Sequence, residues 1–242
     1  MELEEPREEG RLLRLASVLS PGVRHIREQI PAFQHEWDRR NDAVLRHDSA
    51  SRFLWVALGD SLSQAVGASS VESSWLMRIA DQRSHAGYPV EIVNLSVAGA
   101  CVADVLGQLE RLDQLDMQPG LLTCTVGSND LLRPSSLGTV RRDLAQLTEA
   151  LGCGPTPSII ATIPDRKSLA ARALNRRLRA LAQNSGIGIA EVAPLATLAR
   201  GERAPDQFHP NDVGYPAWEL AFSEAIEQIV RRSDSVSHHL NR

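Results

Sequence analysis

"FLWVALGDSLS", residues 53–63, is the stretch whose reading decides the fold. The apolar run Phe53 to Leu58 meets Gly59-Asp60-Ser61 with no spacer. A continuous apolar run of this length, closed by turn residues, reads as a strand buried on both faces, as in a parallel sheet covered by helices. The turn that follows is either an ordinary strand-to-helix connection or one shaped to present the Ser61 hydroxyl.

The same pattern recurs along the chain. Apolar runs at 53–58, 90–97, 121–126, 158–163 and 187–192 predict five strands, and helical spacing is found at 72–83, 102–115, 137–151, 167–184 and 215–232. Alternating β and α elements imply a parallel α/β sheet. Ahead of it, "PGVRHIREQIPAFQHEWDRRNDAVL" has helical composition interrupted by Pro31, so residues 1–50 are expected to form a helical extension of one or two helices. Residues 51–232 make up the main domain, and the polar end from 233 to 242, His238 and His239 included, is expected to be a disordered tail rather than a metal site.

Composition narrows the function. The 242 residues are 43% hydrophobic and 23% charged, enough for one α/β domain with its extension. With 26 basic against 30 acidic residues the net charge is -4, which offers no basic field to nucleic acid. Cys101, Cys124 and Cys153 are odd in number and widely spaced, so neither a disulfide framework nor a metal site is expected. The amino terminus opens with acidic residues and Arg14 breaks its apolar stretch, unlike a secretory signal, and no segment has transmembrane length. A cytoplasmic protein without stable membrane insertion is the expectation. Walker, zincin and dinucleotide-binding motifs are absent, so no cofactor and no metal are expected.

What remains is a set of polar residues at strand ends, where open parallel sheets bind their ligands. Ser61 follows the first strand, Gly99 the second in "NLSVAGA", Asn129 the third in "TVGSND", and "APDQFHPND" follows the fifth with Asp206 and His209. A serine hydroxyl becomes nucleophilic when a neutral imidazole takes its proton and a carboxylate orients that imidazole. The oxyanion then formed needs fixed donors, which the Ser61 N–H at the start of a helix, the Gly99 N–H and the Asn129 carboxamide can supply.

Taken singly, each residue has a plainer reading: Asp60, Asn129 and Asp206 as caps or turn formers, Gly99 as a strand end, His209 as structural. Their order and their common address at strand ends favour catalysis. Asp60 and Asp130 read as structural, and Ser63 as a weaker rival to Ser61. Arg133, Arg166 and Lys167 follow the third and fourth strands, where an anionic substrate group can meet them, although such residues are usually solvated.

The order of these blocks resembles the SGNH hydrolase superfamily, also called GDSL esterases and lipases. Gly59-Asp60-Ser61-Leu62-Ser63, Gly99, Gly127-Ser128-Asn129-Asp130 and Asp206-Gln207-Phe208-His209 match its four blocks over residues 53 to about 230. The resemblance implies a flavodoxin-like three-layer α/β/α sandwich, with Ser61 as nucleophile and first oxyanion donor. Gly99 and Asn129 would be the other donors, and Asp206 and His209 would complete the triad. The leading helical segment further resembles the extension of bacterial, particularly actinobacterial, members. One departure is Ala65 where many members have Gly, which a helix after Ser61 would tolerate.

The function expected is hydrolysis of short acyl or O-acetyl esters of small molecules or glycans through an acyl-Ser61 intermediate. An acyltransferase using the same intermediate and a non-catalytic binding module are the alternatives. Short connections imply a shallow open groove rather than a lipid tunnel.

Overall fold

Each of the five apolar runs forms a strand in the computed structural model, which describes residues 20–46, 53–133, 136–164 and 168–240. Helix α1 (Pro21–Arg46) leads into β1 (Phe53–Gly59), α2 (Trp75–His85), β2 (Val90–Asn94), α3 (Val102–Gln114) and β3 (Leu121–Thr125). The chain continues through α4 (Ser128–Leu132), α5 (Leu137–Cys153), β4 (Ser158–Ala161), α6 (Leu169–Ser185), β5 (Gly188–Ala190) and α7 (Tyr215–Leu240).

All pairings are parallel and the strand order is β2-β1-β3-β4-β5. Helices α1 and α2 pack against β2, α2 also meets α7, and α7 covers β4 and β5. Helices α3, α5 and α6 pack on one another, with α3 against β1. The result is the three-layer α/β/α arrangement. The strand order reverses between β1 and β3, so the segments after those two strands flank the switch point where such sheets bind ligands.

The core explains the apolar runs. Trp55 to Gly59 of β1 and all of β3 are buried, and the Trp55 indole donates to Thr123 Oγ1 at 2.8 Å, giving the ring its one polar partner. On the neighbouring layer Trp75 stacks on Phe222 with ring centroids 3.8 Å apart, joining α2 to α7. Burial of such a side chain contributes roughly 1.5–3 kcal/mol.

Two elements differ from the expectation. Helix α1 runs unbroken through Pro31, and Asn41 shows what anchors it: its side-chain amide donates to the Asn94 carbonyl and accepts from the Asn94 N–H, both at 2.8 Å, like one rung of an added strand. Helix α7 continues to Leu240, into the stretch expected to be a disordered tail. Residues 1–19 of the extension, together with Arg166 and Lys167, lie outside the described residues. Among the described residues no helix is long and apolar enough to cross a membrane, and no group of three metal-ligating side chains occurs.

Candidate active site

Beyond Gly59 the chain does not enter a helix, contrary to the expectation from sequence. Residues 60–68 form a series of turns, and α2 starts only at Trp75, after a short 3-10 turn at Val71–Ser73. Its own N–H groups satisfy the carbonyls of Asp60, Ser61 and Ala65, and other elements satisfy most of the rest. The Leu62 carbonyl accepts from the Trp75 indole at 3.1 Å, and Ser63 from Asn94 Nδ2 at 2.7 Å. Gln64 accepts from the Trp37 indole at 3.1 Å, Val66 from the Tyr215 hydroxyl at 2.8 Å and Ala68 from Gln29 Nε2 at 2.6 Å. Side chains of α1, α2, β2 and α7 thus fix the turn that carries Ser61. At its root, Gln108 of α3 holds both the N–H and the carbonyl of Gly59, at 2.7 and 2.9 Å.

Ala65 corrects a second expectation. It lies in no helix and has φ +73°, in the left-handed region that favours glycine, which accounts for the Gly common at this position in the family it resembles.

The sequence candidates converge. Ser61 Oγ lies 2.9 Å from His209 Nε2, and His209 Nδ1 lies 2.6 Å from Asp206 Oδ2. The other carboxylate oxygen, Asp206 Oδ1, accepts from the N–H groups of Phe208 and His209 at 2.9 and 3.1 Å. Burial pushes the Asp206 carboxyl upward, but the His209 ring and these two N–H groups outweigh it and hold the group below its ordinary value. Because Asp206 accepts only, Nδ1 carries the imidazole proton and Nε2 is left to accept from the Ser61 hydroxyl.

Three candidate donors have capacity to spare. Neither the Ser61 N–H nor the Gly99 N–H meets an acceptor among the described residues. Asn129 Nδ2 gives one proton to the Ala100 carbonyl at 2.9 Å and keeps the second. The Ser61 N–H belongs to the turn rather than to a helix start, so a helix dipole is not what polarises it.

The residues read as structural have definite partners. Asp60 is fully buried and accepts from the Leu62 N–H at 3.1 Å and the Thr125 hydroxyl at 3.2 Å; burial pushes its carboxyl up to about 7. Asp130 accepts from the Val102 N–H at 3.1 Å, tying α4 to the start of α3, and burial raises it as well. Ser63 is fully buried, and its Oγ donates to the Leu58 carbonyl at 2.9 Å. Arg133, half-buried, also has a partner: its Nη2 donates to the Gly99 carbonyl at 3.0 Å. That contact, like those of Gln108 and Gln29, joins segments distant in sequence and has no local signature.

A cavity of about 250 Å³ is lined in part by Leu62, Ser128, Phe208 and Pro210, the chain neighbours of Ser61, Asn129 and His209, which do not themselves line it. Helix α1 reaches the site from behind. Gln29 Oε1 accepts from the Gly67 N–H at 2.8 Å, and Gly22 packs so close to Pro205 that a Cβ there would lie 2.1 Å from the Pro205 carbonyl oxygen.

The model of the GDSL-like Lipase/Acylhydrolase family matches residues 57–217, most of the chain. No match is found among curated proteins. Several solved structures share the fold. The psychrotrophic esterase EstA from Pseudoalteromonas sp., inhibited by monoethylphosphonate, is 18% identical with a TM-score of 0.63, over 74% of this chain and 98% of that one. TesA is 20% identical with a TM-score of 0.64, over 72% and 98% of the two chains. The acetylxylan esterase Axe2 from Geobacillus stearothermophilus is 15% identical with a TM-score of 0.59, over 72% and 94%. The family match spans all four sequence blocks: the chain belongs to the GDSL-like Lipase/Acylhydrolase family, and it is a carboxylic ester hydrolase of the SGNH type.

Proposed function

We propose that the chain hydrolyses short-chain carboxylic esters through a covalent acyl-Ser61 intermediate. The observation that carries this reading is the continuous path from Ser61 Oγ to His209 Nε2 at 2.9 Å and from His209 Nδ1 to Asp206 at 2.6 Å. His209 takes the Ser61 proton as Oγ attacks the ester carbonyl, and Asp206 stabilises the imidazolium that results. The carbonyl oxygen becomes an oxyanion facing the Ser61 N–H, the Gly99 N–H and the free Asn129 N–H. Collapse expels the alkoxide, which leaves as the alcohol with the proton from His209. Water then attacks the acyl carbon while His209 takes its proton, and the acid and free Ser61 are released.

The cavity supports a short acyl group. Its 250 Å³ lies just below the ~300–1,000 Å³ of pockets that enclose drug-sized ligands. The acetylxylan esterase and the phosphonate-inhibited esterase among the fold neighbours are consistent with ester chemistry on this scaffold.

The test is an alkyl fluorophosphonate. Ser61 Oγ forms a P–O bond as the P–F bond breaks and fluoride leaves, and the phosphoryl oxygen takes the oxyanion donors. One adduct per chain on Ser61 is expected by mass spectrometry, lost in Ser61→Ala and strongly slowed in His209→Ala. Folded protein that stays unlabelled would overturn the reading in favour of a binding module.

A further inference from the structure

The cavity of about 250 Å³ is apolar along most of its wall, with Leu62, Leu131, Leu198, Phe208 and Trp218 among the lining residues, yet it also receives Arg203. The position of Arg203 is fixed by the loop that carries the histidine. Arg203 pairs with Pro210 in an isolated antiparallel bridge, and the adjacent Ala204 N–H donates to the His209 carbonyl at 2.8 Å. The arginine therefore stands directly across the loop from the residue that follows His209.

Among the described residues its guanidinium has no acceptor. No carboxylate or carbonyl among the described residues receives it, although the residue is only partly exposed. The described acids that neighbour it in sequence have other partners: Glu202 Oε2 accepts from the Ala199 N–H at 2.6 Å, Asp206 holds His209, and Asp212 Oδ1 accepts from the Ser69 N–H at 2.7 Å. Trp218, only 2% exposed and lining the same cavity, also has an indole N–H with no acceptor among the described residues. A partly desolvated cation in an apolar wall is costly unless it is paired, and a guanidinium meets a carboxylate in two parallel hydrogen bonds.

We infer that the acyl group this site selects is a short chain ending in a carboxylate, held at its far end by Arg203, so that the preferred substrates are half-esters of short dicarboxylic acids. The inference rests on the esterase reading above. The apolar wall takes the methylenes and Arg203 takes the terminal charge. At the ~30 Å³ that a water occupies, 250 Å³ gives room for on the order of eight heavy atoms. That is the size of a four- or five-carbon diacyl group. Hydrolysis of such an ester releases the dicarboxylate and the alcohol, with no other reactant than water.

The experiment compares two fluorophosphonates of equal chain length, one ending in methyl and one in carboxylate, by their labelling rates on Ser61 in wild type, Arg203→Gln and Arg203→Lys. The carboxylate probe is expected to react about 10- to 100-fold faster in wild type, the range of one charge-assisted hydrogen-bonded pair. Arg203→Gln should abolish that preference by slowing the carboxylate probe, with an unchanged melting temperature showing that the variant is folded. Arg203→Lys should retain part of it, and salt should erode it. Equal rates in wild type, or a preference that survives Arg203→Gln, would overturn this inference alone. Failure of both probes to label Ser61 would overturn it together with the esterase reading.

Discussion

Asp206 holds His209 twice, by Oδ2 at 2.6 Å from the ring Nδ1 and by Oδ1 at 3.1 Å from the same residue's backbone N–H. One carboxylate thus sets the position of the loop and the tautomer of the ring. In Asp206→Asn the backbone N–H groups keep the carbonyl oxygen on their side, which turns the amide NH₂ towards Nδ1. The imidazole must then carry its proton on Nε2 and cannot accept from Ser61. A fall in kcat of about 10⁴-fold is expected, with little change in melting temperature. Ser61→Ala and His209→Ala should each be as severe, and the double variant scarcely worse. Multiplicative losses in steady-state assays would contradict a single unit.

Asn129 and Arg133 should separate by degree. Asn129→Ala removes a donor and is expected to lower kcat by about 10²–10³-fold with a smaller effect on KM. Arg133 acts on Gly99 from behind, through the carbonyl. Arg133→Ala should therefore reduce kcat by roughly tenfold, less than loss of a donor itself, with KM unchanged and with partial recovery in Arg133→Lys. A change confined to KM would place Arg133 in substrate binding instead.

Gly67 has φ +98°, and a Cβ there would lie 2.4 Å from the Pro210 carbonyl oxygen and 2.7 Å from His209 Cβ. Gly67→Ala must push the histidine loop away from Ser61. Stability is expected to fall by about 3 kcal/mol in urea titrations, and kcat to fall with it. Unchanged turnover in a destabilised variant would mean that the loop moves as a whole with its ring.

Asp60 gives the protein a pH dependence of definite sign. Its folded-state pKa, pushed up to about 7 by burial, stands above the unfolded value near 3.9. The contribution of the protonated group is therefore complete below about pH 4 and is lost as pH rises to 7. Asp60→Asn keeps an acceptor for Leu62 and Thr125 without the charge. Relative to wild type it should gain stability between pH 4 and 7, by on the order of 4 kcal/mol at the upper end. Parallel stability profiles for the two proteins across that window would show that Asp60 is ionised without penalty.

The sheet was legible because β1, β3 and β4 are buried on both faces and so read as apolar runs. The candidate triad was legible because Asp206 and His209 lie three residues apart on one loop. Strand β2 ends at Asn94, but Leu95 and Val97 still donate to the Ala57 and Gly59 carbonyls of β1, so the apolar run to residue 97 stays tied to the sheet. The turn 60–68 cannot be told from a helix start in the sequence because its hydrogen-bond partners, from Gln29 to Tyr215, are scattered over the chain and leave no periodic trace. Arg203 carries no sequence signal for a related reason: its place in the cavity follows from the pairing with Pro210, which only the folded loop reveals.

Helix α1 touches both halves of the site, abutting Pro205 through Gly22 and gripping Gly67 and Ala68 through Gln29. At 1.5 Å per residue the seven steps between these contacts make a ruler about 10 Å long. Loops cannot hold a gap to within tenths of an ångström, but a helix measures it in units that do not stretch. One residue inserted between Gly22 and Gln29 would shift the two marks by about 1.5 Å and turn them by about 100°, so neither loop could keep its grip while the other did. The separation of Ser61 from His209 is thus gauged by a segment that contributes no atom to the reaction.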